Sequence, residues 1–238
     1  MKNCNPHNVR RLDGLVAVVT GANGGLGRPI CRRLESEGAH IAAIDLRETG
    51  KPDERIQFTG DMTSKLDVQC VFDAIVKQHG RVDILVNNIG GGGSRARLLV
   101  DLEEEDWSSS LANNLTSTFL CTQAFAKLVI AAGNAAKIVN IASFSGKVGT
   151  PLLGPYSVAK AGVIRLTEVF ARELSGHGIC VNSVCPSVID TPLSHKMLDR
   201  YPETFILAYD LDIGPGGSAR AALEQKVPLG RLGEPEEV

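Results

Sequence analysis

Six short apolar runs, separated by segments of helical pattern, constrain this chain more than anything else in it. The runs cover residues 16–19, 40–44, 56–58, 82–86, 137–142 and 179–184. Between them lie 28–37, 65–79, 103–131 and 156–175, where apolar residues recur every three or four positions. In 65–79 these are Leu66, Val68, Val71, Phe72, Ile75 and Val76, all expected to face inward. Such alternation predicts βαβ units and an α/β fold with a parallel sheet. Right-handed crossovers put helices on both faces, and strands buried on both sides read as near-continuous apolar runs. No linker or internal repeat interrupts the 238 residues, of which 43% are hydrophobic, so one domain with a real core is expected.

The first run leads into the first helical segment through Thr20-Gly21-Ala22-Asn23-Gly24-Gly25-Leu26-Gly27. Glycines let a backbone approach a pyrophosphate closely. The helix start behind them offers N–H groups and a partial positive charge. The spacing is Gly21-x-x-x-Gly25-x-Gly27, and Ile30 stands where a G-x-G-x-x-G pattern would put its last glycine. A tight strand-to-helix connection has the same composition, so the loop gains meaning from Asp45. That residue ends the second run, 18 positions after Gly27. A carboxylate there accepts from both ribose hydroxyls of an adenosine. The same charge repels a 2′-phosphate, which favours NAD over NADP; Arg47 nearby would soften the exclusion.

Tyr156 and Lys160 lie four residues apart, downstream of Ser143. Positions i and i+4 share one helical face. Gly154 and Pro155 precede the pair; proline suits a first helical position and glycine is tolerable as the cap, which sets Tyr156 at the helix opening. An ammonium beside a phenol favours the phenolate, so the Tyr156 pKa is expected to fall toward the working pH. That makes the phenol a usable general acid or base. A lone Tyr–Lys pair arises by chance, and serines such as Ser143 commonly serve only as strand-end hydroxyls.

Composition excludes several other classes. The net charge is −2 with acidic and basic residues interspersed, which argues against a nucleic-acid or membrane partner. No apolar run is read as reaching the eighteen or so residues of a membrane span. The polar stretch 1–11 lacks the apolar core of a signal peptide, so a cytoplasmic location is expected. Cys4, Cys31, Cys70, Cys121, Cys180 and Cys185 are scattered, without Cys-x-x-Cys or zinc spacing. Most are read as reduced, buried small hydrophobes, and no metal is expected.

From Leu12 onward the chain resembles the short-chain dehydrogenase/reductase family, in particular its oxoacyl-carrier-protein-reductase-like branch. The motifs fall in the family's order. They are the Gly21/Gly25/Gly27 loop, Asp61-Met62, Asn87-Asn88-Ile89-Gly90, Asn114-Leu115-Thr116, Ser143, Tyr156 with Lys160, Pro186-Ser187-Val188-Ile189-Asp190-Thr191, and the stretch 230–238. The resemblance implies a Rossmann-type doubly wound sheet of strand order 3-2-1-4-5-6(-7). It assigns catalysis to Asn114, Ser143, Tyr156 and Lys160. It assigns NAD binding to Gly21, Asn23, Gly25, Leu26, Gly27, Asp45, Leu46, Asp61, Met62, Asn88, Gly90, Pro186, Val188 and Thr191, with Tyr156 and Lys160 shared. In this scheme Ser143 polarises the substrate oxygen, Lys160 also holds the nicotinamide ribose, Thr191 holds the carboxamide, and Asn114 holds a water that links Lys160 to solvent.

The implied activity is NAD(H)-dependent interconversion of a secondary alcohol and a ketone. A dehydratase or epimerase of the same fold, or a non-catalytic dinucleotide-binding regulator, are the alternatives; the intact Ser143/Tyr156/Lys160 set speaks against the regulator. The expected partners are a small alcohol or ketone and further copies of the chain, as a tetramer or dimer. Ile89 and Ser187 depart from the family's alanine and glycine, and residues 90–93 are four consecutive glycines. The substrate pocket is expected along 90–97, 145–153 and the segment after Thr191. Leu152, Leu153, Leu193, Met197 and Leu198 suggest an apolar lining, with Arg95, Arg97 and Lys147 as candidates for an anionic group. Residues 193–227, with helical pieces at 193–211 and 218–227, are expected to form a mobile lid. The family's seventh strand would lie beyond Val238, so a longer natural protein is expected, with the sixth strand as an edge.

Overall fold

The apolar runs pair as one parallel sheet, because the helices between most of them return the chain to the same end of the sheet. The computed structural model describes residues 10–46, 57–91, 96–214 and 216–238. Its strands are β1 (Val16–Thr20), β2 (His40–Asp45), β3 (Phe58–Thr59), β4 (Ile84–Asn87), β5 (Ala136–Ile141) and β6 (Ile179–Val184). Their order is β3-β2-β1-β4-β5-β6, and every pairing is parallel. β6 is the sheet's edge. The order reverses between β1 and β4, and the strand ends there open a crevice.

Alternate residues of each strand supply opposite faces. Val18, Ile44, Leu85, Ile138 and Val181 join Phe72, Ile75 and Phe125 in one buried cluster. Ala17, Val19, Ala43, Val86 and Ile141 join Cys31 in another on the far face. The helices over the first cluster are α2 (Lys65–His79), α4 (Ser117–Ala132) and α5 (Gly154–Leu174); α1 (Gly27–Ser36) covers the second. α2 has conventional ends: the Ser64 hydroxyl accepts from Asp67 N, and Gly80 closes the helix in the left-handed region at φ 78. Leu66 is 72% exposed, against the inward position its sequence pattern suggests, because it sits in the first turn, away from the sheet.

Several element bounds differ from the sequence reading. β3 begins at Phe58; Ile56 lies outside the described residues. β4 starts at Ile84, since Asp83 uses its carboxylate to accept from Val16 N at 2.9 Å and from Arg81. The single helix expected over 103–131 is α3 (Glu104–Leu111), a π-helical turn at Ala112–Thr116, and α4. Glu104–Ala132 is long enough to cross a membrane and holds an 18-residue window with a mean hydropathy of 1.4, contrary to expectation. In this fold it is a core helix, with Cys121, Phe125 and Val129 buried against the sheet. The piece expected at 193–211 is two helices, α6 (Pro192–Arg200) and α7 (Pro202–Tyr209). Pro202 drives the preceding Tyr201 out of helical geometry, to φ −138 and ψ 55. With α8 (Ala219–Lys226) they enclose a small separate core of Leu198, Phe205, Leu211, Ala219, Leu223 and Leu232. Among the described cysteines only Cys31 and Cys121 are buried; Cys70 and Cys180 are exposed and Cys185 is intermediate. Cys4 lies outside the described residues.

Candidate active site

The crevice at the strand ends is a cleft of about 630 Å³. At one end lies the glycine loop. Gly21 takes φ 63, which only glycine adopts without strain. A Cβ on Gly27 would stand 2.1 Å from Gly21 O, and one on Gly25 would stand 2.9 Å from Thr191 Cβ. Both positions therefore require bare backbone. α1 begins on Gly27 with no side-chain cap and no acidic residue in its first turn, which suits an anion. Asp45 accepts from Asn23 N at 3.0 Å and from Leu46 N at 2.8 Å, fixing its carboxylate beside the loop. The Asn88 carboxamide donates to Thr20 O at 3.1 Å and Gly21 O at 2.9 Å, tying the end of β4 to the loop. The Asp61 carboxylate accepts from Thr63 N and Thr63 Oγ1, and Met62 is buried beside it.

The other end holds the hydroxyls. Tyr156 is the third residue of α5; Leu153, not Gly154, is the cap, with Pro155 second in the helix. Lys160, one turn on, is 3% exposed. Its Nζ donates to Ile141 O at 2.7 Å and stands 5.8 Å from the Tyr156 ring centroid. Ser143 follows β5, and its Oγ accepts from Ser145 N at 3.1 Å.

The expected lowering of the Tyr156 pKa is overturned. Burial pushes it above the ordinary phenol value; a hydrogen bond with Ser143 pulls the other way, and nearby Tyr209 raises it further. Burial also lowers Lys160 to about 8. The physical reason is desolvation, which disfavours both charged forms, while the lysine's ammonium is engaged by a carbonyl rather than by the phenol oxygen.

Asn114 is buried at the centre of the π-helical turn. Its Oδ1 accepts from Gly91 N at 3.0 Å, and its Nδ2 donates to Gly91 O at 3.2 Å and Ser110 O at 3.0 Å. Neither Asn114 nor Gly27 reaches the cleft surface, whereas every other residue assigned by resemblance lines it. Asn113 lines it in place of Asn114. The Asn114 carboxamide is thus engaged with Gly91 and Ser110. A side chain on Gly90 would stand 2.6 Å from Asn114 Oδ1 and 2.9 Å from Lys160 Nζ, so these three residues form one tight packing unit. Thr191 lines the cleft and also caps α6, accepting from Ser194 N.

On the substrate side Leu153, Leu193 and Met197 line the cleft as expected, but Leu152 and Leu198 do not. Leu198 turns into the small third core. Arg97 and Lys147 also lie outside the cleft, and Arg95, like Arg47, is outside the described residues. Sequence reasoning missed the α7 wall of Thr204, Phe205, Ala208 and Tyr209; their spacing along one helical face was the available signal. It also missed a buried polar ladder beneath the site. Asn87 Nδ2 donates to Thr122 Oγ1 at 2.9 Å and Asn140 Oδ1 at 2.8 Å, and Asn140 Nδ2 donates to Thr167 Oγ1 at 2.8 Å. Among the described residues no group of three His, Cys, Asp or Glu side chains is placed to hold a metal ion.

A family model described as short chain dehydrogenase matches residues 15–202. The chain belongs to the short-chain dehydrogenase family. A D-threitol dehydrogenase from Mycolicibacterium smegmatis is 37% identical over 96% of this chain and 84% of its own. A 3-oxoacyl-acyl-carrier-protein reductase from Thermotoga maritima is 34% identical over 96% of this chain and 88% of its own. The crystal structure of an NAD⁺-bound xylitol dehydrogenase superposes with a TM-score of 0.83 and 29% identity, covering 95% of this chain and 90% of that one. This short-chain dehydrogenase is therefore an oxidoreductase of alcohol and ketone substrates. Its cleft fits a dinucleotide on its own geometry, since Gly21, Gly24, Gly25 and Asp45 line one end of it where α1 starts with no side-chain cap and no acidic residue in its first turn.

Proposed function

We propose that the protein is an NAD(H)-dependent oxidoreductase that interconverts a secondary alcohol and a ketone, with Tyr156 as general acid and base. The observation that carries this is one cleft with a bare glycine cradle and fixed Asp45 at one end and Ser143, Tyr156 and Lys160 at the other. A nicotinamide dinucleotide would be held by the glycine loop, Asp45 and Leu46, and would supply the hydride chemistry. Ser143 orients the substrate oxygen. In reduction the neutral Tyr156 phenol gives its proton to that oxygen; in oxidation it takes the hydroxyl proton. Burial of Tyr156 favours the neutral phenol, so the donor role is ready at neutral pH and the acceptor role grows as pH rises. Lys160, locked on Ile141 O, presents its charge beneath the phenol and beside Gly90.

Asp45 decides between the two dinucleotides. A 2′-phosphate would face its carboxylate, already positioned by Asn23 N and Leu46 N. NAD⁺ should therefore be preferred over NADP⁺ by at least about tenfold in kcat/KM, roughly 1.4 kcal/mol. Steady-state rates of NADH and NADPH formation over a panel of secondary alcohols test this. Equal efficiency with both cofactors would sink the NAD assignment, and no turnover with either would sink the dehydrogenase reading.

A further inference from the structure

One wall of the cleft is left unused by the chemistry above. α7 turns Thr204, Phe205, Ala208 and Tyr209 toward the cleft. Tyr209 is the last residue of that helix. Asp210 behind it takes φ 49, a conformation rare for a non-glycine residue, which ends the helix there and sets the tyrosine's position. The Tyr209 phenol oxygen lies 3.4 Å from Ser187 Oγ. Ser187 is fixed in turn, because Phe144 N donates to the preceding Pro186 O at 2.8 Å. That bond ties the Ser187 turn to the turn carrying Ser143. The two phenols also sense one another, since Tyr209 raises the Tyr156 pKa.

Charge and hydrogen-bond capacity narrow what this wall can take. Among the described lining residues the charged side chains are Asp45, Asp61 and Lys160. Asp45 is held at the glycine loop by Asn23 N, Asp61 is engaged with Thr63 in the turn after β3, and Lys160 is locked on Ile141 O, so α7 itself offers no ionic partner. Thr150 and Ser145 are paired with each other at 2.8 Å. Ser187 and Tyr209 are different: 3.4 Å is longer than a settled O–H···O bond. Both hydroxyls therefore retain hydrogen-bonding capacity for a third oxygen placed between them. That oxygen would lie next to the one Ser143 and Tyr156 act on.

We propose that Ser187 and Tyr209 bind a second hydroxyl of the substrate, adjacent to the reacting one, and so select neutral vicinal diols and their hydroxyketones over simple secondary alcohols. The inference rests on the dehydrogenase reading. Ser187 is a specificity device at a position where the family's glycine offers no donor. Tyr209 reaches the site only because α7 stops on Asp210.

The test compares 2,3-butanediol with 2-butanol, which differ by one hydroxyl. Wild-type protein should show a higher kcat/KM for the diol. Tyr209→Phe, which keeps the ring, and Ser187→Gly should each lower the diol-to-alcohol ratio of kcat/KM about tenfold, with NADH binding by fluorescence retained. A structural role would lower both substrates together and leave the ratio unchanged; that result, or a wild-type preference for 2-butanol, overturns the proposal while leaving the dehydrogenase reading in place. A wild-type protein inactive on every secondary alcohol would overturn both.

Discussion

Burial sets the chemistry of single residues in this site more strongly than the Tyr–Lys spacing does. Tyr156 is held neutral by desolvation, and in the proposed reaction its phenol carries the proton. Tyr156→Phe should keep the fold and NADH binding and lose about 10²–10⁴-fold in turnover; stopped-flow NADH binding beside steady-state rates checks both halves. Lys160 gives the stability counterpart. Its folded pKa of about 8 is below the ordinary lysine value of 10.5. Between those values the unfolded chain binds the extra proton, so stability rises with pH there, and below pH 8 the full penalty of a buried charge is present. Lys160→Met should therefore abolish activity yet raise the melting temperature at pH 7, by the equivalent of about 1–3 kcal/mol. The gap should narrow between pH 8 and 10.5, and a gap independent of pH would assign the gain to packing alone.

At the scale of elements, side chains rather than strand pairing fix how β4 and β5 meet their helices beneath the site. Asn87 and Asn140 are paired across the two strands. Their carboxamides run from Thr122 on α4 to Thr167 on α5. Such a ladder stabilises one arrangement of the layers, because a slip would leave buried polar groups unmet. Asn87→Leu strands the Thr122 hydroxyl and the Asn140 carbonyl. It should cost about 1–3 kcal/mol in urea denaturation with an unchanged slope. The π-helical turn at Ala112–Thr116 plays the matching part on the long helix, turning Asn114 onto Gly91.

In the whole molecule, two large clusters sandwich the sheet, and the third stands apart under α6, α7 and α8. A small core of its own lets a segment open without unfolding the sheet. We expect residues 193–227 to act as a lid whose hydrogen exchange slows when NAD⁺ and substrate bind. Leu223 is fully buried at the centre of that cluster. Leu223→Ala should speed exchange across α6–α8 while β1, β4 and β5 keep their protection. Equal acceleration in sheet and lid would show a single cooperative unit instead.

The sequence by itself determined the parallel α/β architecture, because apolar runs of strand length alternating with amphipathic segments have few other ways to bury themselves; the strand order came from the family resemblance of its motifs. It also determined which residues meet at the crevice. Gly21, Asp45, Ser143 and Tyr156 each stand at the end of a strand or the start of a helix, and parallel topology brings those ends together. Three things were decided only by the tertiary structure. The protonation preference of Tyr156 and Lys160 follows from burial, which no local spacing encodes. The hand-off of Asn114 to Gly91 depends on a π-helical turn that a helical pattern does not reveal. The meeting of Tyr209 with Ser187 depends on where α7, which opens on Pro202, comes to rest against the cleft. Local sequence sets which side chains face a helix's partner; only the packing of distant elements sets what they face.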